Sequence, residues 1–454
     1  MSREINKILV GNRGEIALRV LRACRERGIR SVAVYSDVDR ASLHVAYADE
    51  AYRLGPAPAS ESYLRGDIIL QIARDCGADA IHPGYGFLSE NPDFAGACEA
   101  SGIIFIGPPS GAMRMLGSKT RARQTADSVS LPRVPGSTHA LESLEDARKV
   151  ASAVGYPIML KAAAGGGGKG MRAVQSEAEL SAAFENARSE AERAFGSGEV
   201  YIEKLIARPR HIEIQLLADQ HGSCVYLGER ECSVQRRHQK VVEEAPSAIV
   251  DSDLRDRMGA AAVRLALAAG YTNAGTAEFL VDAERNFYFL EMNTRIQVEH
   301  PVTEAVTGID LVQLQLTIAA GKELPYQQSD IKFSNHAIEC RINAESAKRS
   351  FHPSPGRITK WAPPQDYNIR LDTHCFQDYV VPPFYDSLLA KLIVSGTTRS
   401  DAIDNTHNAL RHFQIDGIET NLDFLTYLSS HPDFIANTHD TRWIENNLDP
   451  FLAQ

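Results

Sequence analysis

The sequence predicts a multidomain protein of mixed α/β and α+β class, and three observations support this prediction. The 454 residues correspond to roughly three domains at about 150 residues each. Strand and helix patterns alternate over the N-terminal quarter of the chain, and a run of four glycines and a β-hairpin pattern follow. Alternating elements of this size indicate a parallel sheet with helices on its faces, whereas a hairpin indicates antiparallel pairing.

The N-terminal elements are predicted from short apolar runs and from the glycines that end helices. Gly28, Gly77 and Gly102 each follow a helical pattern and precede an apolar run, and glycine tolerates the left-handed conformation in which helices commonly end. Asn91 and Pro92 are typical of a helix N-cap and first helical position. We therefore predict strands at 7–10, 31–35, 79–82 and 103–106, and helices at 14–27, 63–76 and 91–101.

Proline and glycine mark a linker at 131–136, beyond which the pattern changes. A small α+β region that contains the glycine run is predicted from about 137 to 205. Further strands are predicted at 211–218, 224–228, 275–282 and 287–292, with a helix at 257–269 between them. The C-terminal part is mixed, with turns at 352–356 and 381–383.

Composition excludes several classes of protein. The chain has 48 basic and 58 acidic residues and a net charge of -10, which argues against a general nucleic-acid binder. No apolar run approaches the ~18 residues of a membrane-spanning helix, and the N-terminus lacks the apolar core of a secretory signal. Seven cysteines without a CxxC pair are typical of reduced thiols. We therefore predict a cytoplasmic protein.

The glycine run lies in KAAAGGGGKGM, Lys161 to Met171. Consecutive glycines allow backbone N–H groups to surround phosphate oxygens, and Lys161 and Lys169 flank the run with positive charge. A flexible linker is the alternative interpretation. The apolar strand pattern at 157–160 favours a phosphate-binding lid, although no Gly-Lys-Ser/Thr of a Walker A loop follows.

The hairpin pattern joins GTAEFLVD, which starts at Gly275, to FYFLEMNTRIQVEH, which starts at Phe287. Antiparallel pairing would place Glu278 beside Glu291, and two adjacent carboxylates repel each other unless a cation lies between them. Oxygen ligands suit Mg²⁺, which also binds substrate phosphates. Two solvated glutamates are the alternative, but the neighbouring lid favours the metal site.

Polar residues continue beyond Glu291 with period two. Asn293, Arg295, Gln297 and Glu299 would line one face if the chain stayed extended, and we predict a strand followed by the turn that leaves it. Arg and Gln can hold a small anion while Glu takes its proton, and bicarbonate is one such anion. This row predicts the substrate site beside the metal.

A basic cluster occurs in ERECSVQRRHQKVVEEAP, 229–246. In an acidic protein it indicates an anion site, although a solvated loop is the alternative. Its cationic side chains are Arg230, Arg236, Arg237, His238 and Lys240. Together with the lid and the acidic pair, it points to nucleotide chemistry.

These residues resemble the ATP-grasp superfamily and, within it, the biotin carboxylases. The matching segments cover nearly the whole chain in order: NRGEIALR (12–19), HPGYGFLSEN (82–91), LGSKT (116–120), KAAAGGGGKGM (161–171), RHIEIQ (210–215), ERECSVQRRHQKVVEEAP (229–246), EMNTRIQVEHPVTEAVTG (291–308), ECRINAE (339–345) and PPFYDSLLAKLI (382–393). EMN-R-QVEH with RRHQK is more specific than a general ATP-grasp signature. The departures include Ala163, Ala164 and Lys169, where Ser or Gly and Arg are common.

The resemblance implies an ATP-grasp fold in three domains. They are an N-terminal Rossmann-like (pre-ATP-grasp) domain at 1–116, an ATP-grasp domain at 117–334 and a C-terminal biotin carboxylase domain at 335–454. A mobile glycine-rich lid is expected within the second domain, at about 134–206.

The resemblance also implies a reaction, in which ATP and bicarbonate form carboxyphosphate and the carboxyl group passes to biotin on a carrier protein. Glu299 resembles the base that deprotonates bicarbonate, and Arg341, with Tyr85 nearby, resembles the residue that stabilises the biotin enolate. The other bicarbonate contacts would be Lys240, Arg295, Gln297 and the backbone of Val298. Two Mg²⁺ or Mn²⁺ ions would be held by Glu278 and Glu291, with Asn293 beside them.

The implied ATP site draws on several segments. Glu203 and the backbone of Lys204 and Ile206 resemble an adenine clamp, whereas His211 and Gln235 resemble ribose contacts. The remaining implied ATP contacts are Lys119, Lys161, Gly166, Gly167, Gly168, Met171, His238, Leu280, Glu278 and Glu291.

The expected partners are a biotin carboxyl carrier protein and a carboxyltransferase subunit, because no AMKM biotinylation motif occurs in the chain. A homodimer is implied, with an interface at the positions of Arg19, Arg22, Tyr367 and Arg370. Acetyl-CoA is the default final acceptor; propionyl-CoA, another acyl-CoA and pyruvate are the alternatives. Another ATP-grasp ligase and a catalytically inactive regulatory subunit are the competing functions.

Overall fold

The computed structural model describes residues 3–137, 139–162 and 171–453. The N-terminal region alternates strands and helices as predicted. Its elements are β1 (Lys7–Val10), α1 (Gly14–Glu26), β2 (Arg30–Ser36), α2 (Leu43–Tyr47), β3 (Glu50–Gly55), α3 (Gly66–Asp75), β4 (Ala80–His82), α4 (Pro92–Ala100), β5 (Ile104–Phe105) and α5 (Ser110–Leu116). The strands form one sheet in the order β3-β2-β1-β4-β5, and every pair is parallel.

Helices cover both faces of this sheet, which confirms the predicted layering. Successive residues of β1 point to opposite faces, so Ile8 and Val10 pack in one apolar core and Leu9 packs in another. Asn91 caps α4, and its side chain accepts from the backbone of Asp93 and Phe94. β3 was not predicted, because EAYRLG lies at the sheet edge and carries no apolar run.

A smaller α+β unit follows. It contains α6 (Lys119–Ser128), α7 (Leu144–Val154), β6 (Ile158–Ala162), β7 (Met171–Val174), α8 (Glu177–Phe195) and β8 (Val200–Lys204). The strands form an antiparallel sheet in the order β7-β6-β8. This unit has an apolar core of its own, to which α7, α8 and the strands contribute. The predicted α+β region is therefore confirmed in the described residues.

An eight-stranded sheet forms the largest part of the molecule. Its strands come from the central and the C-terminal parts of the chain, and each neighbouring pair is antiparallel. The elements of the central part of the chain, from Arg210 to Ala319, are β9 (Arg210–Ala218), β10 (Cys224–Arg236), β11 (Gln239–Ala245), α9 (Ser252–Ala268), β12 (Asn273–Val281), β13 (Phe287–Asn293), α10 (His300–Thr307) and α11 (Leu311–Ala319).

The C-terminal region completes this sheet and adds three two-stranded sheets. Its elements are β14 (His336–Asn343), β15 (Glu345–Ser346), β16 (His352–Pro353), β17 (Gly356–Arg357), β18 (Lys360–Ala362), β19 (Ile369–Thr373), β20 (Val380–Val381), β21 (Leu388–Gly396), α12 (Arg399–His412), β22 (Gln414–Asp416), α13 (Leu422–Ser429), α14 (Pro432–Ile435) and α15 (Trp443–Leu452). The strand order of the eight-stranded sheet is β13-β12-β9-β10-β11-β14-β21-β19.

The strand predicted at 224–228 was too short, since β10 continues to Arg236. The basic segment 229–246 forms the β10–β11 hairpin rather than a solvated loop. Register shifts after Tyr226 and after Glu231 interrupt the period-two pattern, which hides the strand in the sequence. Among the described residues, no helix combines the length and the apolar character that a membrane span requires.

Candidate active site

The predicted hairpin places two acidic residues opposite each other. β12 and β13 pair antiparallel, and Glu278 is the cross-strand partner of Glu291. The strand ends at Asn293, and the chain then turns until α10 begins at His300. The prediction of a strand followed by a turn is confirmed, so Arg295, Gln297 and Glu299 do not continue one extended face.

Lys240 lies at the centre of the polar cluster. Its Nζ is 2.5 Å from Glu213 Oε2, 2.9 Å from Glu278 Oε1 and 2.6 Å from Glu299 Oε1. An ammonium group has three donors, and here each meets a carboxylate. Burial would lower the pKa of Lys240, but the three carboxylates raise it well above its ordinary value. Lys240 is therefore charged at neutral pH.

Glu299 is fully buried at the N-cap position of α10. Lys240 holds one carboxylate oxygen, and Arg341 Nη2 donates to the other at 2.9 Å. Burial alone would raise the pKa of Glu299, but the charges of Lys240, Arg341 and Arg230 lower it well below the usual value. The carboxylate is thus ionised and fixed at both oxygens.

Arg295 extends the cluster toward the N-terminal region. Its Nε donates to Glu90 Oε2 at 2.9 Å, and its Nη1 donates to Gln297 Oε1 at 2.7 Å. Gln297 in turn donates to Glu278 Oε1 at 3.3 Å. Arg295 and Gln297, two predicted bicarbonate contacts, are therefore connected through side chains to Glu278, a predicted metal ligand.

The proposed biotin contacts lie at the same cavity. A cavity of about 540 Å³ is lined by Tyr85, Lys240, Arg295, Val298 and Arg341, among others. Arg341 Nε donates to Glu243 Oε1 at 2.7 Å. The Tyr85 hydroxyl donates to Glu15. One space is thus bordered by side chains from the N-terminal, central and C-terminal parts of the chain.

The β12–β13 hairpin carries side-chain oxygen atoms that could act as ligands of a hard divalent cation. Asn293 Nδ2 donates to Glu278 Oε1 at 2.8 Å, so these two side chains meet on the face that also presents Glu291. Burial would raise the pKa of Glu278, but Lys240 and His211 lower it, so the carboxylate is ionised and able to bind a metal ion. Glu278, Glu291 and Asn293 therefore suit Mg²⁺ or Mn²⁺.

Two of the predicted nucleotide residues of the small unit, Lys161 and Glu203, contact each other. Lys161 on β6 and Arg123 on α6 both donate to the carboxylate of Glu203 on β8. Lys204 Nζ donates to the carbonyls of Gly155 and Tyr156 at 2.9 Å each. Met171 begins β7, and Ile206 follows β8. Gly166, Gly167, Gly168 and the side chain of Lys119 lie outside the described residues.

The other predicted nucleotide residues lie on the eight-stranded sheet. His211 on β9 is the cross-strand partner of Leu280 on β12, and its Nε2 is 3.2 Å from Glu278 Oε2. Burial would lower the pKa of His211, but Glu278 raises it. Gln235 on β10 is buried and pairs with Lys240. His211 therefore lies against the proposed metal ligand Glu278 and is also a candidate ribose contact.

His238 occupies the tight turn between β10 and β11. Arg236 and Gln239 pair across the two strands, so Arg237 and His238 form a two-residue turn. Their φ angles are 48° and 67°, in the left-handed region that Asn and Gly usually occupy in such turns. Backbone strain of this kind is typical of functional sites. The exposed His238 is thereby presented at the end of the hairpin.

Sequence reasoning missed several charged residues of this cluster. Glu213, Glu243 and Lys391 are fully buried, and Glu90 accepts from both Arg295 and the backbone of Thr294. Glu213 could have been found, because it alternates with polar His211 and Gln215 on a strand that is buried along its whole length. Lys391 stands alone in the apolar run LLAKLIV, which is a similar signal.

The positions expected at a dimer interface differ in their surroundings. Tyr367 is 98% exposed and Arg22 is exposed. Arg19 Nη2 donates to Glu304 Oε1 at 3.0 Å, and Arg370 Nη1 donates to Glu304 Oε2 at 2.7 Å. Two of the four residues therefore belong to one ion-pair cluster around Glu304.

Comparisons with family models and with known proteins identify the family of the chain. Three family models match in order: Biotin carboxylase, N-terminal domain (residues 4–113), Carbamoyl-phosphate synthase L chain, ATP binding domain (118–327), and Biotin carboxylase C-terminal domain (339–446). The chain is 50% identical over 442 residues to Biotin carboxylase 1 of Bacillus subtilis (strain 168), covering 97% of this chain and 98% of the relative.

Further relatives extend this similarity. The propionyl-CoA carboxylase alpha chain of Ruegeria pomeroyi is 47% identical over 459 residues, which cover 97% of this chain and 67% of the relative. The biotin carboxylase domain of Hydrogenobacter thermophilus 2-oxoglutarate carboxylase has a TM-score of 0.92 at 46% identity, covering 99% of both chains. The predicted resemblance and the ATP-grasp fold class are confirmed, and the chain belongs to the biotin carboxylase family of ATP-dependent ligases.

Proposed function

We propose that this chain uses ATP and bicarbonate to carboxylate biotin on a carrier protein, through carboxyphosphate. The contact of Lys240 and Arg341 with the two oxygens of Glu299, at the edge of the cavity, carries this proposal. It joins the side chain proposed to deprotonate bicarbonate to the side chain proposed to hold biotin. The Hydrogenobacter structure is described as a dimer in complex with MgADP, ADP and bicarbonate, which supports the same ligands here.

In this proposal Glu299 takes the proton of bicarbonate. A buried glutamate with a depressed pKa is a weak base by itself. The cations that keep Glu299 ionised also favour the doubly charged form of bicarbonate, so proton transfer does not depend on a strong base. Lys240, Arg295, Gln297 and the backbone of Val298 would hold the anion while it attacks the γ-phosphate of ATP.

Glu278, Glu291 and Asn293 would hold the divalent cations. Bound Mg²⁺ or Mn²⁺ supplies positive charge that offsets the charge of the phosphates. This chain's own residues complete the site: Lys161 lies beside Glu203 for the nucleotide, and His238 lies at the end of the hairpin. Lys119 and Gly166–Gly168 are proposed to contact the phosphates.

Arg341 would stabilise the negative charge that develops on biotin. Its guanidinium is buried, which would lower its pKa, but Glu243 and Glu299 raise the pKa further above its ordinary value. The group therefore remains a cation at the cavity wall, where it offsets an oxyanion. Tyr85, fixed by Glu15, borders the same wall.

The carrier, the carboxyltransferase and the final acceptor belong to the same proposal. Acetyl-CoA is the proposed acceptor, with fatty-acid synthesis as the role, and the chain is proposed to act as a cytoplasmic homodimer. Relatives named for pyruvate, propionyl-CoA and methylcrotonoyl-CoA carboxylases make these the competing acceptors. Incubating the charged carrier and its carboxyltransferase with each acceptor in turn would decide among them.

The first experiment is ADP release by the purified chain with Mg-ATP and bicarbonate, with and without free biotin. We expect stimulation by biotin that disappears when bicarbonate is omitted. Glu299→Gln should lower this rate about 10²–10⁴-fold, the range typical of a general base. Glu419→Gln, an exposed carboxylate paired with Arg349, is the control and should leave the rate unchanged. Bicarbonate-dependent release that ignores biotin would favour another ATP-grasp ligase.

A further inference from the structure

Lys391 is a fully buried lysine to which the proposed mechanism gives no role. It lies in the middle of β21, in an otherwise apolar run, and its side chain has no exposed surface. Lysine is almost never buried so completely unless it is paired, because removing a charge from water is costly. The identity of its partners is therefore informative.

Three groups from separate parts of the chain surround its ammonium. Lys391 Nζ donates to the carbonyl of Val298 at 2.9 Å and lies 3.1 Å from Glu15 Oε2. The carboxylate of Asp372, its cross-strand neighbour on β19, lies at 3.9 Å. A single side chain thus connects the start of α1, the turn before α10 and the edge of the eight-stranded sheet.

Two of these partners, Val298 and Glu15, are connected to residues of the proposed bicarbonate and biotin sites. The carbonyl of Val298 belongs to the peptide unit that enters Glu299, so holding it fixes the backbone of the proposed base. The other oxygen of Glu15 accepts from the Tyr85 hydroxyl at the proposed biotin wall. Lys391 Nζ is 5.8 Å from the centroid of the Tyr85 ring. Lys391 therefore lies between the bicarbonate side and the biotin side of the cavity.

We propose that Lys391 is a positioning residue for the carboxylation reaction. Among the described residues that line the cavity Lys391 does not appear, and its side chain fixes the Val298–Glu299 backbone and the Glu15–Tyr85 pair relative to each other. This inference rests on the proposed function. A merely structural ion pair would contribute to stability without affecting turnover, and the two roles predict different results.

The test uses two substitutions in the full chain. Lys391→Arg keeps the charge but replaces a point donor by a larger planar group, whereas Lys391→Gln removes the charge. We expect kcat for biotin-dependent ADP release to fall on the order of tenfold to a hundredfold in both, since small displacements of reacting groups have effects of this size. The KM for ATP should stay within about twofold, because the described partners of Lys391 are Val298, Glu15 and Asp372, and none of them is a predicted nucleotide contact.

Arg399→Gln is the matched control. Arg399 is also a largely buried cation of the C-terminal region, held by Glu244 at 3.1 Å and by the carbonyl of Phe434 at 2.9 Å, away from the cavity. It should lower Tm with kcat unchanged. The inference is supported if folded Lys391 variants lose kcat at a Tm no lower than that of Arg399→Gln.

Wild-type kcat in either folded Lys391 variant would overturn the inference, and so would an equal loss of kcat in Arg399→Gln. If Lys391→Gln does not fold, the result for Lys391→Arg alone decides the question. This variant keeps the positive charge that Glu15 and Asp372 need as a partner. A failure of the proposed function would look different: the wild-type chain itself would then release no ADP in response to bicarbonate and biotin.

Discussion

The N-terminal sheet and the eight-stranded sheet fill their interiors in opposite ways. Leu9, Val32 and Ile81 of the first are fully buried among apolar neighbours. Glu213 and Arg230 of the second are buried just as completely but contact each other as ions. Apolar burial is non-directional, whereas a buried charge is stable only while its partners are in place. The first sheet should therefore tolerate the exchange of one apolar side chain for another of similar size, whereas the second should not tolerate the loss of one charge.

The largest effect is expected from removing one buried charge of the eight-stranded sheet. Arg230 donates to Glu213, to Gln215 Oε1 at 2.7 Å and to Thr303 Oγ1 at 2.8 Å. Arg230→Met should lower the free energy of unfolding by about 3–5 kcal/mol, because Glu213 keeps a buried charge with one partner fewer. Urea unfolding measures this change. A loss below about 1 kcal/mol would remove the contrast between the two sheets.

A core substitution in the N-terminal sheet should affect stability without affecting chemistry. Leu9→Ala should lower the free energy of unfolding by about 2–5 kcal/mol through the cavity it leaves. Leu9→Ile, the control, should cost less than about 1.5 kcal/mol. For both variants we expect the kcat of ADP release at wild-type values below the unfolding temperature. A loss of kcat in folded Leu9→Ala would show that packing in this sheet also affects the geometry of the active site.

The N-terminal sheet holds one buried titratable group, His82, whose behaviour should be visible in pH dependence. Gly84 N–H donates to its Nδ1 at 3.0 Å, so its Nε2 carries the proton and donates to Gln315 Oε1 at 3.2 Å. Burial lowers the pKa of His82 to about 4, although the Gln315 contact opposes this. The folded protein therefore keeps this ring neutral where an unfolded chain protonates it.

Stability should consequently fall as the pH is lowered from about 6.5 toward 4, because only the unfolded state binds the proton in that window. At pH 5 this protonation of His82 in the unfolded chain lowers the free energy of unfolding by about 2 kcal/mol relative to neutral pH. His82→Gln should flatten this part of the stability curve when unfolding is measured at pH 7 and pH 5. An unchanged slope would assign the pH dependence to other groups.

The smallest effect is expected at an exposed ion pair, which belongs to neither interior. Lys149 Nζ lies 3.2 Å from Glu145 Oε1, one turn away on α7, and both side chains are largely exposed. Lys149→Ala should change the free energy of unfolding by only about 0.3–0.5 kcal/mol. High salt should abolish even this difference, since exposed charges are screened. A larger effect would show that ion pairs contribute to the stability of α7 as strongly as they do in the eight-stranded sheet.

The same contrast explains what sequence could predict. The parallel sheet was predicted because apolar runs and helix-ending glycines are local signals. The pairing of Glu278 with Glu291 was also predicted, since a short turn fixes the register of a hairpin. The edge strand β3 was missed, because it is not an apolar run.

The charged interior was only partly predictable. The β10–β11 hairpin was missed because buried ions and register shifts remove the alternation that marks a strand. Lys391 and Glu243 were missed because their partners, Glu15 and Arg341, lie far away in the chain. Such long-range neutralisation leaves no pattern in the surrounding sequence. The roles of the individual site residues stay predictions for the experiments above.

The left-handed turn of Arg237 and His238 has a consequence for protein engineering. Each non-glycine residue in that conformation costs about 1–2 kcal/mol. A library selected for thermostability alone is therefore expected to enrich Asn-Gly at these two positions and to lose the imidazole proposed to contact ATP. If His238 contacts ATP as proposed, directed evolution of this chain would need a selection for turnover as well, because thermostability and nucleotide affinity would then favour different residues at this turn.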